Sequence, residues 1–292
     1  MSKAPKNDGV DGILMQKQVR ARTQLFRALG LEDPPLKIQI SSVPYQRVKI
    51  FKHDSWAATA LYEGARGLVV CKFNRQQPIF GIPMQWLGNA LAQRENRFLE
   101  LFPDHPNLPR YSGVVTADGK MLSHVSAHDY IEGVPLRQYK EKVNDDFFPK
   151  LQHLLALIHQ NNISYMDLNK QENILVDIKG NPYLIDFQIC FHLKKSWPGN
   201  SAPFRGLLRL LQESDRFHLM KHYVKLRPDQ LTAEELEKAQ KRPWFLKVYR
   251  SIQIPLRTLR RKLLTVLGFR KDGKVTSEVF VEDGFRNKES ND

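Results

Sequence analysis

One stretch, Ile163 to Phe191 (ISYMDLNKQENILVDIKGNPYLIDFQICF), sets the strongest limit on what this chain can fold into. Two apolar runs, Ile174-Leu175-Val176 and Tyr183-Leu184-Ile185, flank the turn Lys179-Gly180-Asn181-Pro182. Short runs rich in branched side chains and bounded by breakers predict a β-hairpin. Asn173 stands just before the first strand and Asp186 just after the second, so the hairpin brings them to one end. Asp167 lies six residues before Asn173. An Asn and an Asp beside a loop Asp offer the hard oxygen ligands that a magnesium nucleotide needs.

The chain before this stretch divides by period. Leu14 to Leu29 has a helical pattern stopped by Gly30 and Pro34-Pro35. Val48–Lys52, Ala57–Tyr62 and Gly67–Phe73 read as three short strands. The third carries Lys72 inside an apolar run, and a lysine there is costly unless it meets an anion. Taken alone, Lys72 is better read as pointing to solvent from an edge strand. Met84 to Phe102 is helical, with Trp86, Leu87, Ala90, Leu91, Phe98, Leu99 and Phe102 roughly on one face and Glu95 within it. Tyr111–Val115 and Met121–Ala127 are expected strands around the turn Ala117-Asp118-Gly119.

Phe147 to Asn162 is an amphipathic helix that delivers the chain to the hairpin. Beyond Phe191 the pattern is helical and basic: Phe204–Leu226, Ala233–Gln240 capped by Thr232, and Trp244–Gly268. Residues 270–292 are polar and expected to be loose.

Composition removes several classes. The chain of 292 residues, 41% hydrophobic, can hold one large domain or two small lobes. It has no apolar run of about 18 residues for a membrane span, and its start lacks a signal core. Cys71 and Cys190 make neither a disulfide framework nor a zinc pair. A cytoplasmic setting is expected. The net charge of +14 points to acidic partners. From Arg242 to Lys274 there are ten Lys/Arg against one acid. Within it, Pro255–Leu267 has leucines at three- and four-residue steps with arginines between. Such a helix suits peripheral contact with an anionic membrane through 255–274, on the inner face, or closure of a helical core; both remain open. Nucleic acid as a partner rests on charge alone, and no recognition module is present, so no specific nucleic-acid binding is expected.

In this order the residues resemble the protein-kinase-like fold over roughly residues 45–230. Val69-Val70-Cys71-Lys72 is similar to the family's strand-three lysine motif. Glu95 stands in the following helix, ahead of a His105-Pro106-Asn107 turn. Asp167 through Asn173-Ile174-Leu175-Val176 resembles the catalytic loop, and Leu184-Ile185-Asp186-Phe187 the metal motif. The resemblance implies an α+β, two-lobed fold: an antiparallel-sheet lobe at 45–128, a hinge at 129–133 and a helical lobe at 134–269. An N-terminal helical extension at 1–44 precedes them.

It also implies roles. Lys72, oriented by Glu95, holds phosphates of ATP. Asn173 and Asp186 hold Mg²⁺. Asp167 accepts or orients the acceptor hydroxyl, and Lys170 reaches the transferring phosphate. Ser55, or backbone N–H groups of residues 55–58, replaces the glycine-rich loop. Backbone groups near Asp129, Tyr130 and Ile131 bind adenine.

The departures narrow the branch. Tyr165-Met166 stands where the family has His-Arg, so loop phosphorylation loses its cation anchor. Gln188 replaces the glycine of the metal motif, and no Ala-Pro-Glu follows. In these respects the chain is similar to the bacterial lipopolysaccharide core (Kdo/heptose) kinase group, which implies a sugar or glycolipid acceptor. A protein Ser/Thr kinase and a nucleotide-binding pseudokinase are the alternatives. Residue by residue, Asp167 and Asn173 could instead be turn residues, Asp186 a strand-end cap, and Glu95 a solvated helix residue with Glu100 competing for its role.

Overall fold

The computed structural model describes residues 27–79, 81–138, 143–194, 196–199, 201–241 and 243. The chain is a mixed α and β protein that divides into two compact units. Among the described residues, one unit holds the chain up to Gln93 together with Ser112–Asp129. The other holds Arg94–Tyr111 and the chain from Tyr130 onward.

The first unit is one antiparallel sheet of seven strands: β1 (Lys37–Ile40), β2 (Val43–His53), β3 (Ala57–Gly64), β4 (Gly67–Asn74), β5 (Val115–Ala117), β6 (Lys120–Met121) and β7 (Val125–Asp129). Their order is β6-β5-β1-β2-β3-β4-β7. Alternating residues bury Ile38, Ile40, Tyr45, Ala58, Ala60, Tyr62, Val69, Cys71 and Phe73 on one face. The β5–β6 turn places Asp118 at φ +50° and Gly119 at φ +73°. Both are left-handed, as a tight hairpin turn demands, and Asp and Gly tolerate it.

Three expectations shift here. The sheet begins inside the expected 1–44 extension, because Lys37–Ile40 pairs with both β2 and β5. The described end of the expected first helix, Arg27–Gly30, is a bend and turn. Its Ala28 N–H donates to Asp54 O at 2.7 Å, and Ala28 O accepts from Gln76 N at 2.9 Å. The strand expected at Tyr111–Val115 lies further on, at Val115–Ala117, and the one expected at Met121–Ala127 is two strands, Lys120–Met121 and Val125–Asp129.

Helix α1 (Gln85–Leu101) crosses the division between the units, so the lobe boundary expected at residue 128 is incomplete: Arg94–Tyr111 belongs with the second unit. That unit also holds α2 (Phe147–Gln160), α3 (Ala202–Leu226) and α4 (Ala233–Gln240). Its strands are β8 (Gly133–Pro135), β9 (Ile163–Ser164), β10 (Ile174–Asp177), β11 (Pro182–Leu184) and β12 (Phe191–His192). α2 buries Phe147, Phe148, Leu151, Leu154, Leu155 and Ile158 along one stripe. Against that stripe, in one core, lie Ile174, Val176 and Leu184 of the hairpin and Leu219 and Tyr223 of α3.

α4 starts with a capping box. Glu235 N–H donates to Thr232 Oγ1 at 3.3 Å, and Thr232 N–H to Glu235 Oε2 at 2.9 Å. The helix expected at Trp244–Gly268, the basic segment 255–274 and the tail 270–292 lie outside the described residues. Among the described residues no helix is long and apolar enough to cross a membrane.

Candidate active site

The hairpin forms as its sequence demands. β10 and β11 pair antiparallel, with Ile174 opposite Leu184 and Val176 opposite Pro182. Asp177 Oδ1 closes the turn by accepting the N–H groups of Lys179 (2.9 Å) and Asn181 (2.7 Å). Gly180 sits there at φ +81°, where a side chain would be strained.

At the other end the chain gathers polar groups. Gln171–Asn173 is a short 3₁₀ turn leading into β10. Asn173 O accepts the Ile185 N–H at 3.0 Å, so Asn173 and Ile185-Asp186 are backbone neighbours. Asn173 Nδ2 donates to Asp167 Oδ2 at 2.8 Å, and Lys170 Nζ reaches the same oxygen at 2.7 Å. Among the described residues no hydrogen bond uses Asp167 Oδ1 or Asn173 Oδ1. Asp167 and Asn173 are buried, Asp186 is half-buried and Lys170 is exposed.

Two of these positions have unusual backbone. Met166 adopts φ +66° and Asp186 φ +65°. For non-glycine residues this costs about 1–3 kcal/mol each and persists only when the surroundings impose it. The imposing contacts are visible. Asp215 on α3 is buried, and its carboxylate accepts Ser164 Oγ (2.7 Å), Tyr165 N–H (2.8 Å) and Met166 N–H (2.8 Å). His159 Nε2 of α2 lies 3.1 Å from the same carboxylate. Behind Asp186, the Tyr165 hydroxyl donates to Ile185 O. Burial, reinforced by the negative charge of Asp186, pushes the Tyr165 phenol well above its ordinary pKa, so it stays a donor.

The helix residue expected to serve the site is buried. Glu95 is 1% exposed, whereas Glu100 is exposed. Glu95 Oε1 lies 3.4 Å from the Phe187 N–H. One turn on, Phe98 stacks on Phe187 with ring centroids 3.9 Å apart and planes at 11°, and Tyr165 meets Phe187 edge-on at 5.4 Å. The segment Ile185–Phe187 is thus held by Glu95 and Phe98 from α1, by Tyr165, and by Asn173.

The remaining expected residues lie in or next to the sheet unit. Lys72 sits on β4 opposite Thr59 of β3 and Ser126 of β7. β4 is paired on both sides, which removes the edge-strand reading of Lys72; the residue is half-buried. Ser55 lies in the β2–β3 turn, where its carbonyl accepts from the buried guanidinium of Arg75. Arg75 also donates to Gln77 O (2.8 Å) and Pro78 O (3.0 Å). Asp129 ends β7 and accepts Ser112 Oγ at 3.0 Å; Tyr130 and Ile131 follow, half-buried, at the start of the second unit.

Asp215, Tyr165, Phe98 and Arg75 were not singled out from the sequence as site residues. Asp215 reads there as one more charge on a mixed helix, and Tyr165 counted only as a departure from a motif. Both cysteines are buried, and burial raises their thiol pKa values, which leaves them as poor nucleophiles.

Among the described residues no group of three or more His, Cys, Asp or Glu is gathered to form a metal cage. An amide and a carboxylate oxygen fit a magnesium ion that keeps waters and takes other ligands from substrate phosphates. Two surface cavities, of about 550 Å³ beside β1 and β5 and about 480 Å³ between α2 and α3, contain none of the expected site residues. No protein-family model and no curated protein sequence matches the chain.

Proposed function

We propose that this chain is an ATP-dependent phosphotransferase of the two-lobed protein-kinase-like fold, acting on a hydroxyl acceptor. The observation that carries this reading is the arrangement at Asp167. One carboxylate oxygen is held by Asn173 and Lys170, while Asn173 is tied by its backbone to Ile185-Asp186. Phosphoryl transfer asks the protein for alignment and charge neutralisation more than for covalent chemistry.

In this reading Asp167 Oδ1 accepts the hydrogen bond of the acceptor hydroxyl and takes its proton as the new P–O bond forms and the bond from the γ-phosphorus to the bridging oxygen breaks, with ADP leaving. Oδ2 stays fixed by Asn173 and Lys170, which keeps the carboxylate oriented. Lys170, exposed and 2.7 Å from Asp167, supplies positive charge toward the phosphoryl oxygens. Asn173 Oδ1 and the Asp186 carboxylate would hold Mg²⁺, which when bound neutralises phosphate charge. Lys72 would hold nucleotide phosphates, Ser55 or backbone N–H groups of its turn would assist, and backbone at Asp129–Ile131 would take adenine. The acceptor is a lipopolysaccharide-type sugar or glycolipid. That choice rests on the absent Ala-Pro-Glu segment and on the basic charge of the chain.

Calorimetric titration with ATP, with and without magnesium, tests the nucleotide part. Binding that needs magnesium and weakens at least tenfold in Asp186→Ala is expected. Tight magnesium-independent binding without turnover would instead favour a nucleotide-holding module.

A further inference from the structure

The segment after the hairpin is an unusual surface. Between Asp186 and Glu213 the chain has four Lys/Arg (Lys194, Lys195, Arg205 and Arg209) and no acidic residue. Large apolar side chains are open to solvent there: Trp197 is 85% exposed, and Leu207 and Phe204 are partly exposed at 42% and 40%. Lys194, Arg205 and Arg209 are exposed in the same span.

The backbone makes these residues one feature. A Cβ on Gly199 would stand 2.4 Å from Lys194 O, so Gly199 lies close against the Lys194 carbonyl. Ser201 N–H then donates to Pro198 O at 3.0 Å, which sets the turn directly against the start of α3. Phe204 and Leu207 are three apart on that helix and share a face. Every residue from Ala202 to Leu207 is exposed, and burial starts at Leu208. Six residues of a 25-residue helix therefore project past the core with two apolar anchors on them.

We infer that Trp197, Phe204 and Leu207, with Lys194 and Arg205, form a docking surface for an anionic membrane face. Trp is favoured at the membrane–water boundary because its ring is apolar at one end and polar at the other. Arginine and lysine stems lie along apolar surface while their heads reach lipid phosphates. A protein partner of complementary shape would not require the complete absence of acids over this span, whereas an anionic bilayer repels any carboxylate brought against it. This surface uses none of the residues 255–274 and stands without the phosphotransfer reading. If that reading holds, a lipid-linked acceptor would lie in the membrane that this surface touches.

Sedimentation of the full chain with vesicles tests the inference. Vesicles of phosphatidylcholine with 30% phosphatidylglycerol are compared with phosphatidylcholine alone, in about 0.1 M and 0.5 M salt. Binding to the anionic vesicles only, weakened at high salt, is expected. The triple variant Trp197→Ser/Phe204→Ser/Leu207→Ser should bind at least tenfold more weakly at a temperature well below its own melting transition, and Trp197→Ser alone, at an 85% exposed position, should weaken binding with the wild-type melting temperature kept. Brominated lipid should quench emission from Trp197, read as the signal lost in Trp197→Phe. Full binding by the triple variant, with loss only in Arg257→Gln/Arg260→Gln/Arg261→Gln, would overturn the inference in favour of the later segment. A triple variant that changes only the oligomeric state would overturn it in favour of an interface between copies.

Discussion

Asn173 donates from Nδ2 to Asp167 Oδ2 at 2.8 Å while its own carbonyl holds the Ile185 N–H at 3.0 Å. One residue thus fixes the orientation of one carboxylate and the position of another, Asp186, at the open end of a hairpin. Asn173→Ala should lower kcat about 10²-fold or more and raise the magnesium concentration needed for half-maximal rate. Steady-state kinetics over a magnesium series checks both. Asn173→Asp should recover part of the magnesium effect, because an oxygen ligand returns.

Asp215 should be the most costly single position behind the site. It is 1% exposed and accepts two backbone N–H groups and a hydroxyl. Removing the carboxylate leaves buried donors without partners and frees Met166 from its left-handed conformation. Asp215→Ala should lose about 3–5 kcal/mol, read as a shift of the urea midpoint. Asp215→Asn should lose less, since its amide oxygen still accepts.

The aromatic contact between Phe98 and Phe187 gives a third expectation. Phe98 is 4% exposed and stacks at 3.9 Å. Phe98→Ala should cost about 3–5 kcal/mol through the cavity it leaves, and Phe98→Leu distinctly less. Because Phe187 follows Asp186 directly, the affinity for magnesium-ATP should fall in Phe98→Ala beyond what thermal melting at the assay temperature explains.

Acid should weaken the fold through its buried and half-buried histidines. Burial lowers the pKa of His53 and His222, and that of His124 to about 4. His222 Nε2 donates to Leu168 O at 2.8 Å, just after Asp167, so its neutral ring is part of the loop's support. An unfolded histidine takes up its proton near pH 6.5. As the pH falls below that value, the unfolded chain binds protons that the folded chain refuses, and stability declines until the folded pKa is reached. Urea midpoints should therefore drop between about pH 7 and pH 4. His124→Phe should flatten part of that slope.

Much of this was legible in the sequence, for identifiable reasons. The hairpin was visible because branched side chains and a Gly-Asn-Pro turn act locally. α2 was visible because its buried apolar residues repeat with helical period. β1 was not: four residues of mixed polarity after Pro34-Pro35 gain their strand character only from pairing with β2 and β5. Asp215 was equally hidden, since nothing in an amphipathic helix says which carboxylate will meet a loop fifty residues earlier. Glu95 and Glu100 differ in burial because Glu95 shares a face with Ala92, Phe98 and Leu99.

In the proposed reaction Asp167 receives a hydroxyl proton during phosphate transfer. The most direct measurement follows γ-phosphate from labelled magnesium-ATP onto envelope glycolipid and protein fractions, for the wild-type chain and for Asp167→Asn, with matched melting temperatures. Label on a glycolipid hydroxyl is expected, reduced about 10²–10⁴-fold in Asp167→Asn with the KM for ATP little changed. Transfer at the wild-type rate by Asp167→Asn, or label found only on protein, would contradict it.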